Sequence, residues 1–168
     1  MRTEAINNKY VYGTPIQGSR IVSELADQHQ RCTQSYVRRP YGVGLLVAAY
    51  DQTGPHLYLT EPSGNYFEYF SIAIGSRSQT SRTYLEREFE GFASCSLEEL
   101  IKHGLKALSA SLYGDSTLTT KNTSLAVLGM DRSFEIVADD LVKQYLDELS
   151  LAPEEVAEAE MTIEAPEL

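Results

Sequence analysis

A chain of 168 residues with 42% hydrophobic content is long enough for one domain with a real core, and no apolar run approaches the roughly eighteen residues that a membrane span needs. The formal charge of −10 is concentrated at one end: from Asp139 onward ten acids face one base, Lys143, a net −9, which leaves −1 for residues 1–138. This pattern argues against nucleic acid as a partner of the acidic end, no basic stripe interleaved with aromatics appears elsewhere, and the isolated Cys32 and Cys95 suggest neither a disulfide framework nor a zinc site.

The chain opens on helix-compatible residues from Met1 to Tyr10, with no N-cap before them, and Gly13-Thr14-Pro15 ends the segment. A second helix is expected next. Ile21, Val22, Leu25, Ala26, His29, Cys32 and Tyr36 recur at helical spacing, with Ser19 placed to cap it, and the pattern stops before Arg38-Arg39-Pro40. The run Tyr41–Tyr50 is apolar apart from two glycines and is closed by the turn Asp51-Gln52-Thr53-Gly54. Its lack of polar alternation predicts a strand buried on both faces. Pro55–Thr60 then returns as an antiparallel partner, Glu61-Pro62-Ser63-Gly64-Asn65 makes a turn, and Tyr66–Ile74 reads as a third strand ending at Gly75.

Helices follow. Leu85, Phe89 and Phe92 form the stripe of one. In the next, Ser96 and Glu99 make a capping box ahead of Leu97, Leu100, Ile101, Leu105, Leu108 and Leu112, which are expected on one face. Gly104 costs that helix some stability and would let another backbone approach. Strands at Thr123–Gly129 and Phe134–Ala138, joined through Met130-Asp131-Arg132-Ser133, lead to a helix opened by Asp139-Asp140 with Leu141, Val142, Tyr145, Leu146 and Leu149 inward. Helix pairs separated by antiparallel strands fit a sheet sandwich with outer helices better than a doubly wound parallel sheet. Beyond about Leu151, acids without bases and few apolar anchors predict a disordered tail over 151–168, after a domain spanning 1–150.

Arg39-Pro40-Tyr41-Gly42-Val43, Glu61-Pro62-Ser63-Gly64, and Ala73-Ile74-Gly75 leading to Gln79 and Leu85-Glu86 resemble the alpha subunits of the proteasome core particle. Asn65-Tyr66-Phe67, Ser76-Arg77-Ser78-Gln79, Arg82-Thr83-Tyr84-Leu85-Glu86-Arg87 and Thr119-Thr120-Lys121-Asn122 look most like the subunits at the sixth position of the alpha ring, the alpha type-1 family. The resemblance covers residues 1 to about 150 and implies an α+β fold, the αββα sandwich of N-terminal-nucleophile hydrolases. It implies neighbouring alpha subunits in a seven-membered ring, beta-ring subunits, a regulatory particle at the outer face, and a location in cytoplasm and nucleus. It also places Met1 inside the family's first long helix, so that the gate segment, ring-contact helix and opening strands are expected to lie outside this chain. On that expectation the 168-residue chain made alone is marginal in stability.

Related beta subunits use an N-terminal threonine, freed by cleavage after glycine, as nucleophile. Gly13-Thr14 is the one Gly-Thr pair here, but Pro15 and a helix follow it where a strand is required, and Thr3 behind Met1-Arg2 fares no better. His29 and His103 fall in helices, and His56 begins a strand with no nucleophile motif nearby, so each reads as a core or surface histidine. Asp51 and Asp131 sit in turns, where Asp is expected for backbone reasons, and Arg38-Arg39 reads as a solvated or salt-bridged strand entry. No catalytic, cofactor or metal residue is assigned. Two function classes remain: a noncatalytic structural subunit of a proteolytic barrel, and an N-terminal-nucleophile amidohydrolase fragment. The missing strand-initial Thr, Ser or Cys favours the first.

Overall fold

The computed structural model describes residues 1–113, 116–130 and 132–151. Helix α1 (Arg2–Tyr12) and helix α2 (Gly18–Thr33) precede strands β1 (Leu45–Asp51), β2 (Gly54–Thr60) and β3 (Tyr66–Glu68). Helices α3 (Ser78–Glu88) and α4 (Leu97–Ser109) come next, then strands β4 (Ala126–Gly129) and β5 (Arg132–Ile136) and helix α5 (Asp139–Leu151). The mixed helix and sheet order expected from the sequence is the order observed. No described helix is long and apolar enough to cross a membrane. The reading of 151–168 as a disordered tail lies, apart from the helical Leu151, outside the described residues.

The three-stranded sheet is antiparallel in the order β1-β2-β3, and β4 pairs β5 in a second sheet. The two-residue link between β1 and β2 sets Asp51 opposite Gly54, which fixes Ala49 opposite His56, Val47 opposite Tyr58 and Leu45 opposite Thr60. On the other side of β2, Tyr58 faces Glu68 and Thr60 faces Tyr66. Because directly opposed residues share a sheet face, His56, Tyr58, Thr60, Tyr66 and Glu68 lie on one face and Leu46, Ala48, Leu57, Leu59 and Phe67 on the other.

Helix α2 covers the first of these faces. Val22, Ala26, His29 and Cys32 form its buried stripe against Tyr58 and Thr60. Two glycines set the distance of approach. A Cβ added at Gly18 would fall 2.5 Å from Ala49 Cβ. Gly64, in the turn between β2 and β3, has φ +92 and would place a Cβ 2.6 Å from Gln30 Cβ and 3.0 Å from the Ala26 carbonyl. Any side chain would therefore force α2 away from the sheet. His29 fastens the same joint, its Nδ1–H donating to the Glu61 carbonyl at 3.1 Å while its ring packs on Tyr41, centroids 4.5 Å apart.

Several expectations need correction. The central run is not a strand buried on both faces: β1 begins only at Leu45, Tyr41 and Val43 are exposed outside it, and within it Leu46 and Ala48 are exposed while Leu45 and Val47, on the side that α2 covers, are half-buried. The third strand ends at Glu68. After one further ladder bond, from Tyr69 N–H to the Leu57 carbonyl at 2.9 Å, the chain leaves the sheet, and the Arg82 guanidinium holds the Ala73 carbonyl at 2.8 Å instead. Helix α2 is entered from Gln17 rather than capped by Ser19, and Tyr36 lies beyond its end, fully exposed. The strands after α4 begin at Ala126 and Arg132, not at Thr123 and Phe134, and Asp131 between them lies outside the described residues.

The capping box at α4 is present as expected: Ser96 N–H donates to Glu99 Oε2 at 2.8 Å, and Glu99 N–H donates back to Ser96 Oγ at 3.3 Å. The six-leucine-type stripe behind it, however, is split. Ile101 and Leu105 are buried, whereas Leu97, Leu100 and Leu108 are exposed. The helix is gripped from its flanks: Ser81 of α3 donates to the Ala107 carbonyl at 2.5 Å, and Lys102 pairs with Glu148 of α5 at 2.8 Å. The stripe between those flanks is left uncovered by the described residues, and nothing stands within 4 Å of a Cβ built on Gly104. In α3 the helix stops at Glu88, so Phe89 falls in a short 3-10 turn and is exposed, while Phe92 packs edge-on against His103 at 5.2 Å.

Candidate functional site

Thr14 and Thr3, the residues weighed as nucleophiles, are both exposed, Thr14 in the link between α1 and α2 and Thr3 in the first turn of α1. Neither opens a strand. Arg38 and Arg39 lie in the exposed loop before β1, where the Arg39 guanidinium donates to the Pro40 carbonyl at 3.2 Å. Of the cysteines, Cys32 is buried in α2 and Cys95 is only half-buried, and both are free. His103 shares a 2.8 Å hydrogen bond with the Tyr84 hydroxyl, which joins α3 to α4. A groove between α1 and α2 is lined by Glu4, Glu24, Asp27, Gln28 and Arg31.

A dense constellation of titratable groups is built around His56. The β1–β2 turn brings Asp51 and Thr53 to one side of its ring, and β3 brings Glu68 to the other. Thr53 donates both its backbone N–H and its hydroxyl to Asp51 Oδ1, at 2.9 and 2.5 Å. His56 Nε2 lies 2.7 Å from Thr53 Oγ1 and 3.2 Å from Asp51 Oδ1, and His56 Nδ1 donates to Glu68 Oε1 at 2.5 Å. The ring stacks on Tyr58, centroids 5.9 Å apart and planes 16° from parallel.

Hydroxyl, imidazole and carboxylate in line have the outline of a nucleophile, base and orienting acid. The proton positions oppose that use. The Thr53 hydroxyl spends its proton on Asp51, whose carboxyl is held down to about 2, first by that hydroxyl bond and then by the Thr53 N–H. Glu68 in turn raises the affinity of His56 for its proton, burial opposes it, and Asp51 adds a smaller push upward. Protonated on both nitrogens, the form that this raised affinity favours, the ring has no lone pair with which to act as a base. The arrangement holds charge and joins three segments of backbone.

Of this cluster the sequence reading placed Asp51 and His56 separately and did not weigh Thr53 or Glu68. A usable signal was present: a two-residue turn fixes the register, and strict alternation then puts His56 on the same face as Tyr58, the partner of Glu68.

Compared with known proteins, residues 1–128 match the family model described as Proteasome subunit. The chain is 51% identical to the proteasome subunit alpha type-1 of Dictyostelium discoideum over 148 residues, which is 88% of this chain and 60% of that protein. It is 42% identical to the alpha type-1 subunit of Trypanosoma brucei rhodesiense, covering 93% of this chain and 59% of that one. With the proteasome subunit alpha type-6 of Saccharomyces cerevisiae it shares 41% identity over 87% of its own length and 63% of the relative's. The chain thus spans about three-fifths of the length of the curated relatives it matches.

Proposed function

The chain belongs to the proteasome subunit family, and from that premise we propose that it is a noncatalytic structural subunit of the alpha type, a member of the outer ring that gates entry to the proteasome core complex in ubiquitin-dependent protein breakdown. The observation that carries this reading is the sustained identity, 51% over 88% of the chain, to a protein named as an alpha type-1 subunit. The partners proposed on the same ground are neighbouring alpha subunits in a seven-membered ring, beta-ring subunits and a regulatory particle, and the proposed location is cytoplasm and nucleus.

The packing is in keeping with this reading. A sheet with α2 on one face and apolar residues on the other is what a layer inside an αββα sandwich looks like, and we take the fold to be of that N-terminal-nucleophile hydrolase type. The exposed settings of Thr14 and Thr3, in a link and a helix rather than at a strand start, support a scaffold over a hydrolase.

The test is to tag the gene product in its own cells, isolate the tagged assemblies and weigh them intact. Peptides from residues 1–150 are expected in equal stoichiometry with other alpha and beta subunits, and threonine-directed covalent inhibitors are expected to leave this chain unlabelled. Recovery outside any such assembly, or stoichiometric labelling at Thr14 or Thr3, would overturn the proposal.

A further inference from the structure

We propose that His56 is a proton-operated clasp: doubly protonated, it holds the edge strand β3 and the β1–β2 turn to the middle strand of the sheet, and loss of one proton releases them. The geometry carries this. The bond from His56 Nδ1 to Glu68 Oε1 spans from β2 to β3, and the contacts of Nε2 with Thr53 Oγ1 and Asp51 Oδ1 span from β2 to the turn. In the three-residue β3 this side-chain link supplements few ladder bonds, and Tyr69 N–H to the Leu57 carbonyl is the last of them before the chain leaves the sheet.

Both carboxylates that face the ring favour its charged form, against the cost of burial. Asp51 faces it from the end of β1, Glu68 from β3, and Tyr58 from β2 through its ring face. Tyr58 is itself held protonated mainly by burial and then by the two carboxylates. If Nε2 loses its proton, its lone pair meets Asp51 Oδ1 at 3.2 Å, and the Thr53 hydroxyl must leave Asp51 to satisfy it. One bond of the set is then lost whichever way the hydroxyl turns.

The sign of the pH dependence follows. The folded ring holds its proton more tightly than its ordinary value of 6.5, so the clasp contributes fully below that pH and loses its contribution as pH rises through the raised value. Asp51 works in the opposite sense: its contribution is present above its ordinary 3.8 and is lost as pH falls toward about 2.

The experiment is a proton NMR titration of the His56 ring in the full chain, with amide exchange measured at Tyr69 and along α4 between about pH 6 and about pH 8.5. After correction for intrinsic exchange, protection at Tyr69 is expected to fall several-fold across that range, with a midpoint matching the ring titration, while α4 amides hold steady. His56→Gln and Glu68→Gln are each expected to give a flat Tyr69 profile. An unchanged Tyr69 profile in wild type, a fall shared equally by α4, or persistence of the same midpoint in His56→Gln would overturn the proposal.

Discussion

The three-stranded sheet has two faces built from alternate residues of the same strands, and they fare differently. Under α2, Tyr58 is 4% exposed and Thr60 is wholly buried, whereas on the opposite face Leu59 is buried at 9% but Phe67 keeps 50% and Leu46 39% of its surface in contact with solvent. Both faces are rich in large apolar groups, so hydrophobicity does not separate them. What separates them is fit. Gly18 and Gly64 remove the side chains that would hold a helix off, so α2 settles onto one face at van der Waals distance. A similar division runs around α4, where the buried Ile101 and Leu105 adjoin an exposed stripe of Leu97, Leu100 and Leu108.

The comparison breaks most severely if the glycine joint is filled. Gly64→Ala combines a left-handed backbone conformation with a contact of 2.6 Å to Gln30 Cβ, and is expected to cost about 3 kcal/mol in urea unfolding. Equal stability of the variant would mean that α2 is not seated by this turn. Truncating across the two faces should sharpen the contrast. Tyr58→Ala removes a buried aromatic ring and should cost about 3 kcal/mol, whereas Phe67→Ala should cost less than about 1 kcal/mol. Similar losses in calorimetry would show that the second face is packed in solution.

Smaller effects test the same boundary. Thr60 Oγ1 is buried and finds no hydrogen-bond partner among the described residues, so Thr60→Val, which keeps the branched shape, should stabilise the chain by about 1 kcal/mol. A loss would reveal that the hydroxyl has a partner. On the exposed stripe of α4, Leu100→Gln should shift stability by no more than about 0.5 kcal/mol while lowering light scattering at high protein concentration. A large destabilisation there would place the stripe inside a packed core.

How much was legible beforehand divides along the same line. The order of elements, the turn at Asp51-Gln52-Thr53-Gly54, the capping box at Ser96 and Glu99 and the buried stripe from Val22 to Cys32 were all readable, because each depends on neighbours within a few residues. The proteasome alpha resemblance was readable for a related reason, since it rests on short stretches of residues met in order.

Other features were decided only in three dimensions. The apolar run at Tyr41–Tyr50 looked buried on both faces, yet hydrophobic content states only what a segment would bury, not whether a partner with the right shape reaches it. The length of β3 was decided by where the chain leaves the ladder after Tyr69, its Ala73 carbonyl going to Arg82 instead. The cluster of Asp51, Thr53, His56 and Glu68 joins a turn to a strand twelve residues further along His56's side of the sheet. Local propensity acts over a turn or two of chain, whereas such meetings are set by strand register and by the side chains that let one layer close onto another.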